Sequence, residues 1–145
     1  MKKNIFVQGP IDAAFIARSI EQHSSKTGIG AHNIFLGQVR ADQVGDTTVS
    51  AIEYTTYEEM AYSRMHAIRE QLFEKHNLTC LHVYHSLGKV AAGEICLFVF
   101  ASAPHRQAAT DACGEMVEEI KNTLPVWGRE IFCNGESQWK VNQPA

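Results

Sequence analysis

The chain has 145 residues, 45% of them hydrophobic and 20% charged, which fits one globular domain that removes roughly 70% of its unfolded surface from water. Its 13 basic and 16 acidic side chains leave a net charge of −3, against the basic excess of a general nucleic-acid binder. The longest apolar run, ICLFVFASA, is far below the ~20 residues that cross a bilayer, and the apolar part of the basic N-terminus is too short for a signal peptide, so a cytoplasmic location is expected.

KNIFVQ (3–8) predicts a short strand. PIDAAFIARSIEQHS follows as a helix, with Asp12 placed to cap it and Ile11 and Ile16 spaced as a hydrophobic staple. AHNIFLGQV (31–39) and VSAIEYTT (49–56) predict strands joined by the polar loop RADQVGDT, a hairpin connection or a flap. From Glu58 to His76, Ala61, Met65, Ile68 and Leu72 recur at helical spacing. CLHVYHS (80–86) and EICLFVFAS (94–102) are the next strands, split by LGKVAAG; the second is apolar enough for a central position. A third helix runs from near Pro104 to Thr123, with Ala109, Ala112, Cys113, Met116, Val117 and Ile120 on one stripe. REIFC and QWKV close the chain as short strands around an NGES turn. With no internal repeat and no linker-like run, residues 1–145 form one α+β domain with about three helices on a mixed or antiparallel sheet.

Seven histidines invite a metal site, but His82 and His85 are three apart on a strand, an odd offset that points them to opposite faces. Neither a helical HExxH nor a Cys/His cluster with ligand spacing is present, and no metal is expected. Cys80, Cys96, Cys113 and Cys133 have no CxxC spacing and are expected to be buried reduced thiols. SAPHRQAA (102–109) places His105 and Arg106 in the first turn of the third helix. Cations there oppose the helix dipole unless an anion docks at the same end; a solvated pair is the alternative. Arg40 ends the second strand, where Gly37 hints at a bulge and Phe35 lies on the same face as Gly37. Lys121 sits at the edge of the apolar stripe, four residues after Val117 and three after Glu118. It is either a surface partner of Glu118 or a partly desolvated lysine. Lowering its pKa to ~8 takes about 3 kcal/mol, part of which Arg106 or Arg129 could supply.

Several segments, in order from about residue 29 to 141, carry a family resemblance: FLGQVR with its loop, AIEYTTYEEMA, VYHSLGKVAAGE, SAPHR, and LPVWGREIF with QWK. On these the chain resembles the large, catalytic subunit of molybdopterin synthase, the MoaE type. The resemblance implies an α/β hammerhead fold and a homodimer within a heterotetramer. Each large subunit binds a small ubiquitin-like sulfur carrier of MoaD type, whose C-terminal thiocarboxylate enters the active site. Sulfur passes to cyclic pyranopterin monophosphate (precursor Z), forming the dithiolene of molybdopterin. By the same resemblance Lys121 is the catalytic lysine. Arg40, His105 and Arg106 hold the substrate phosphate, in a pocket shared between protomers, and Phe35 lines the site. The nucleophile belongs to the carrier, so no cysteine, metal or organic cofactor is required, and the enzyme's task is proton transfer and charge stabilisation.

One departure stands inside the site segment. Family members carry a second lysine after the tryptophan, where this chain has Gly128. Arg129 or Lys140 could supply the missing charge, although Arg cannot serve as a general base at neutral pH. Ala41 and Ser86 are smaller departures, from a polar residue and an arginine. A module that binds the carrier tail without catalysis is the alternative that Gly128 motivates, and a phosphate sensor built on Arg40, His105 and Arg106 is a third; retention of Lys121 favours the enzyme.

Overall fold

The computed structural model describes residues 5–141. Its elements alternate as β1 (Phe6–Gln8), α1 (Ala13–Gln22), β2 (Ala31–Gln38), β3 (Gln43–Val44), β4 (Thr47–Thr56), α2 (Glu58–Lys75), β5 (Cys80–Ala91), β6 (Ile95–Ala103), α3 (Arg106–Thr123), β7 (Val126–Phe132) and β8 (Ser137–Trp139). The strands form one sheet in the order β2-β6-β5-β4-β7-β8, with β1 beside β5 and β3 beside β4. Only the β1–β5 pairing is parallel among the described strands, so the architecture is α+β with a mixed, mainly antiparallel sheet.

Strand β6 organises the core because both its faces are covered. Leu97, Val99 and Ala101 face the apolar stripes of α2 and α3, while Phe98 and Phe100 face Ile11 and Ile16 at the start of α1. This explains a run without polar alternation, since a strand covered on two sides has no solvent face. The α2 stripe predicted by helical spacing, Ala61, Met65, Ile68 and Leu72, is buried as expected. Helices α2 and α3 are also tied to each other by Arg64–Glu119 and by Glu115, which receives both Lys75 and His76. Those two donors hold the Glu115 carboxyl below its ordinary range. Asp12 caps α1 as predicted, accepting the Ala14 N–H at 3.0 Å.

Several boundaries differ from the sequence expectation. The predicted first strand begins at Lys3, and residues 3–4 lie outside those described. LGKVAAG does not break the chain: β5 runs to Ala91, because Tyr54 to Ala51 of β4 pair with Gly88 to Ala91 and override the weak strand propensity of Gly88 and Lys89. The loop after Arg40 is a small hairpin, with Val44 opposite Thr47 and Gly45 at φ +61° supplying the tight reversal. β7 starts three residues before the predicted REIFC, directly after Pro125, and β8 ends at Trp139. Cys80, Cys96 and Cys113 are buried free thiols, but Cys133 is exposed because it follows β7 at the sheet rim. No helix among the described residues is long and apolar enough to cross a membrane.

Candidate active site

The end of α3 and the start of β7 build the neighbourhood of Lys121. Leu124 leaves the helical backbone at φ −75°, ψ +130°, as expected for a residue that precedes proline. The Pro125 carbonyl then accepts the Thr56 hydroxyl at 2.8 Å and the Tyr57 N–H at 3.4 Å, which fixes the chain's exit against the end of β4. Strand β7 continues along β4 with Trp127 opposite Thr55 and Gly128 opposite Tyr54. Lys121, Tyr54, His85, Trp127, Gly128 and Lys140 thereby line one pocket of about 90 Å³.

The electrostatics of this pocket centre on the lysine. Lys121 keeps solvent contact at the helix end, yet the protein atoms around its amine desolvate it and lower its pKa. The positive charge of Lys140 lowers it further, while the Cys96 sulfur acts in the opposite direction. Burial pushes the His85 imidazole down to about 4, partly offset by its hydrogen bond to the Ser86 carbonyl, and the charge of Lys121 adds a smaller lowering. His85 Nδ1 lies 2.8 Å from the Ser86 carbonyl. A carbonyl only accepts, so Nδ1 carries the proton and Nε2 keeps its lone pair. Burial, then the adjacent Cys96, raises the Tyr54 phenol, which meets the His85 ring edge-on at 5.1 Å between centroids. At neutral pH the pocket therefore holds a neutral imidazole, a neutral phenol and a lysine whose pKa is lowered by desolvation and by the charge of Lys140. Such a set can take up and return a proton and attract an anion.

The two residues proposed to replace the missing second lysine separate cleanly. The Lys140 N–H donates to the Gly128 carbonyl at 2.8 Å, so Lys140 stands beside the glycine and its side chain lines the pocket. Arg129 is one residue along β7, which turns it to the opposite face, where its guanidinium donates to Glu53 at 2.6 Å. Gly128 itself has no room for a side chain: a Cβ would lie 2.9 Å from Cγ2 of Ile52.

The three residues expected to hold an anion do not converge within one chain. His105 is the N-cap of α3 rather than part of its first turn, and Arg106 is the first helical residue. Arg106 and Lys121 are thus separated by the length of α3, about 22 Å at 1.5 Å per residue. Arg40 follows β2, which runs in the same direction as α3 beneath it: Asn33 bonds Thr110 near the start. Arg40 therefore lies toward the Lys121 end, where its exposed guanidinium pairs with Asp42 at 3.3 Å. Phe35, mid-strand on β2 at the sheet edge, is 36% exposed. Gly37 admits close packing there, since a Cβ would meet Leu97 at 3.2 Å and the Phe35 ring at 3.4 Å.

Sequence reasoning missed Tyr54 and His85 as pocket residues. Both lay in the segments AIEYTT and VYHSLG, but their convergence depends on the β4–β5 register, which no local pattern reveals. A larger cavity, about 490 Å³, lies between α2 and the start of β5, where Arg69 donates twice to the Leu81 carbonyl; none of the residues singled out above for sulfur transfer or substrate binding lines it.

Fold and pocket together define an α+β protein with a lysine-centred, anion-attracting site at the end of its last helix. Residues 7–123 match the family described as MoaE protein. The chain belongs to the MoaE family. It is 36% identical over 112 residues to a molybdopterin synthase catalytic subunit of Pyrococcus abyssi, covering 77% of this chain and 75% of that one. It is 37% identical over 114 residues to the protein of that name from Phaeosphaeria nodorum, covering 79% of this chain and 60% of the relative. The chain thus spans about three fifths of the length of some of the curated relatives it matches. A crystal structure of molybdopterin synthase from Staphylococcus aureus superposes with a TM-score of 0.81 at 29% identity, covering 98% of this chain and 99% of that one. A protein–protein complex of subunits 1 and 2 of molybdopterin-converting factor from Helicobacter pylori shares the fold, with a TM-score of 0.79 at 18% identity over 95% of this chain and 90% of that one.

Proposed function

We propose that this protein is the catalytic subunit of a molybdopterin synthase, acting in the cytoplasm as one domain over residues 1–145. It transfers sulfur from the C-terminal thiocarboxylate of a small ubiquitin-like carrier to cyclic pyranopterin monophosphate. The observation that carries this reading is the desolvated Lys121 facing Lys140 beside Trp127 and Gly128, in a chain of the MoaE family. The carrier sulfur forms a C–S bond to a side-chain carbon of the pterin in place of a C–O bond, the displaced oxygen leaves with a proton, and the carrier acyl group stays on the sulfur as a thioester. Water then cleaves that thioester, leaving sulfur on the pterin and a carboxylate on the carrier. Lys121, as the free amine, accepts a proton in one step; as the ammonium, it stabilises the oxyanion in the other. Lys140 lowers the Lys121 pKa by like-charge repulsion, which eases loss of its proton, and adds positive charge for the anionic tail.

The distance along α3 supports a site divided between two protomers, in which His105 and Arg106 of one chain serve the Lys121 and Arg40 of the other. That arrangement gives the cationic pair at the α3 N-terminus the phosphate that its position calls for. Exposed Trp127 lines the pocket on the β7 side and offers apolar surface for a docked carrier. The test is reconstitution with a thiocarboxylated carrier and the pterin monophosphate. Wild-type protein is expected to yield molybdopterin, and Lys121→Ala to lose turnover while keeping its fold and carrier binding. Carrier binding without product from the wild type would leave the non-catalytic docking module as the correct reading.

A further inference from the structure

We propose that His23, Cys80 and His82 form a binding site for one zinc-type transition-metal ion, on the face of the sheet opposite Lys121. Strand alternation makes half of it. Cys80 and His82 are two residues apart at the start of β5 and project to the same side, toward α1, whereas His85 projects toward α3. The other half is the end of α1. His23 is the C-cap, its backbone N–H bonded to Glu21 and Ile20, so its side chain hangs over the sheet at a fixed point. Each of the three residues offers one ligand atom, and these atoms lie within 4.8 Å of one another.

The orientation of His23 points to a ligand. Its Nδ1 sits 2.7 Å from the Ser19 carbonyl, so Nδ1 carries the proton and Nε2 presents a lone pair. The residue is 9% exposed and its ring stacks on Phe100 at 4.7 Å, which locks its plane. Nε2 is buried without a hydrogen-bond partner. A buried acceptor left in this state is unfavourable, and an imidazole anchored through its other nitrogen to a backbone carbonyl is how proteins orient a metal-binding histidine. The His23 and His82 rings lie 5.0 Å apart at 74°. Two imidazoles on one tetrahedral ion place their centroids about 5 Å apart, from metal–nitrogen bonds of about 2.0 Å.

Closing the set requires the ligand atoms to draw in to roughly 3.3–3.8 Å, a shift of about 1 Å that side-chain rotation supplies. Lys26 now donates to the Cys80 sulfur at 2.8 Å, so positive charge already occupies the sulfur's open side; this lysine sits on an exposed turn and can swing into solvent. His32 stands near but is held by Ser102 at 2.7 Å, with its ring 6.2 Å from His23, which leaves the fourth position to water. One thiolate and two imidazoles favour Zn²⁺ or Co²⁺ over Mg²⁺ and Ca²⁺. A bound ion would tie the end of α1 to the first residues of β5.

The test uses the full chain with Cys133→Ser as parent, which removes the exposed thiol. After treatment with chelator, the protein is titrated with Co²⁺ and, separately, Zn²⁺. The expected result is one ion per chain, a sulfur-to-cobalt charge-transfer band, and X-ray absorption of the zinc form showing one sulfur and two imidazole nitrogens. Cys80→Ser should abolish the band, and His23→Asn and His82→Asn should weaken binding by roughly tenfold or more. Absence of the band in the parent, its persistence in Cys80→Ser, or a zinc shell without sulfur would overturn the proposal. The parent's absorption spectrum decides the matter even if a variant fails to fold.

Discussion

Gly128→Ala puts a number on the departure that distinguishes this chain from its family pattern. The added Cβ would sit 2.9 Å from Ile52 Cγ2 and 3.3 Å from Tyr54 Cε1, against ordinary carbon contacts of about 3.5–4.0 Å. Ile52 is 2% exposed and β-branched, so its methyl has neither free space nor an easy second rotamer. Overpacking of this kind costs about 1–3 kcal/mol. Replacing a strand glycine returns about 0.5–1 kcal/mol of backbone entropy. The net expectation is a loss of about 0.5–2 kcal/mol, or roughly 2–8 °C in Tm for a chain of this size. Ile52→Ala alone should cost about 2–5 kcal/mol. In that background the clash is gone and the new methyl partly fills the cavity, so Gly128→Ala should become neutral or stabilising. Urea denaturation of the four proteins of this cycle should give a coupling of about 1–2 kcal/mol. Additive costs, or a Gly128→Ala single variant as stable as wild type, would refute the steric account.

Lys140→Ala should slow sulfur transfer and move the basic limb of the pH–rate profile upward, because removing a like charge makes the Lys121 ammonium easier to keep. Arg129→Ala should leave turnover nearly unchanged and cost no more than about 1 kcal/mol in chemical denaturation, the range of a half-exposed ion pair such as Arg129–Glu53. His85 makes stability pH-dependent: its folded value of about 4 lies below the unfolded ~6.5, so the unfolded chain binds the extra proton between them. Stability should be complete above pH 6.5 and fall by up to about 3 kcal/mol as pH drops toward 4, with His85→Gln flattening that slope. An unchanged slope in the variant would place the acid sensitivity elsewhere.

Periodicity and apolarity carried the fold a long way. The α2 and α3 stripes and the Asp12 cap follow from spacing, and the interior position of β6, between β2 and β5, follows from its unbroken apolarity. Strand ends were legible only where the local chemistry decides them. β5 extends through Gly88 and Lys89 because β4 pairs with them, a fact of tertiary register. At the candidate site, Lys121 was visible as a stripe-edge lysine, but its desolvation comes from β4, β5 and the chain after β8. Position in sequence made Arg129 and Lys140 equal candidates for a supporting charge; the alternation of β7 and a hydrogen bond to Gly128 separate them. His82 was set aside because His85 points away from it. The partners it does have, Cys80 two residues earlier and His23 from a distant helix end, needed the strand's face and the α1 cap together.

The length of α3 has a genetic consequence. With Arg106 and Lys121 at its two ends, the site proposed above draws each reaction centre from two chains. A cell carrying one allele without Lys121 and another without Arg106 would then not be null. Mixed dimers pair two damaged chains so that one of their two sites receives an intact lysine and an intact arginine. Random assembly makes half the dimers mixed, and about a quarter of all sites recover wild-type composition. Two alleles both lacking Lys121 recover none. Interallelic complementation between the two helix ends, and its absence within one end, is the inherited signature of a helix too long to bring its own termini to the same substrate.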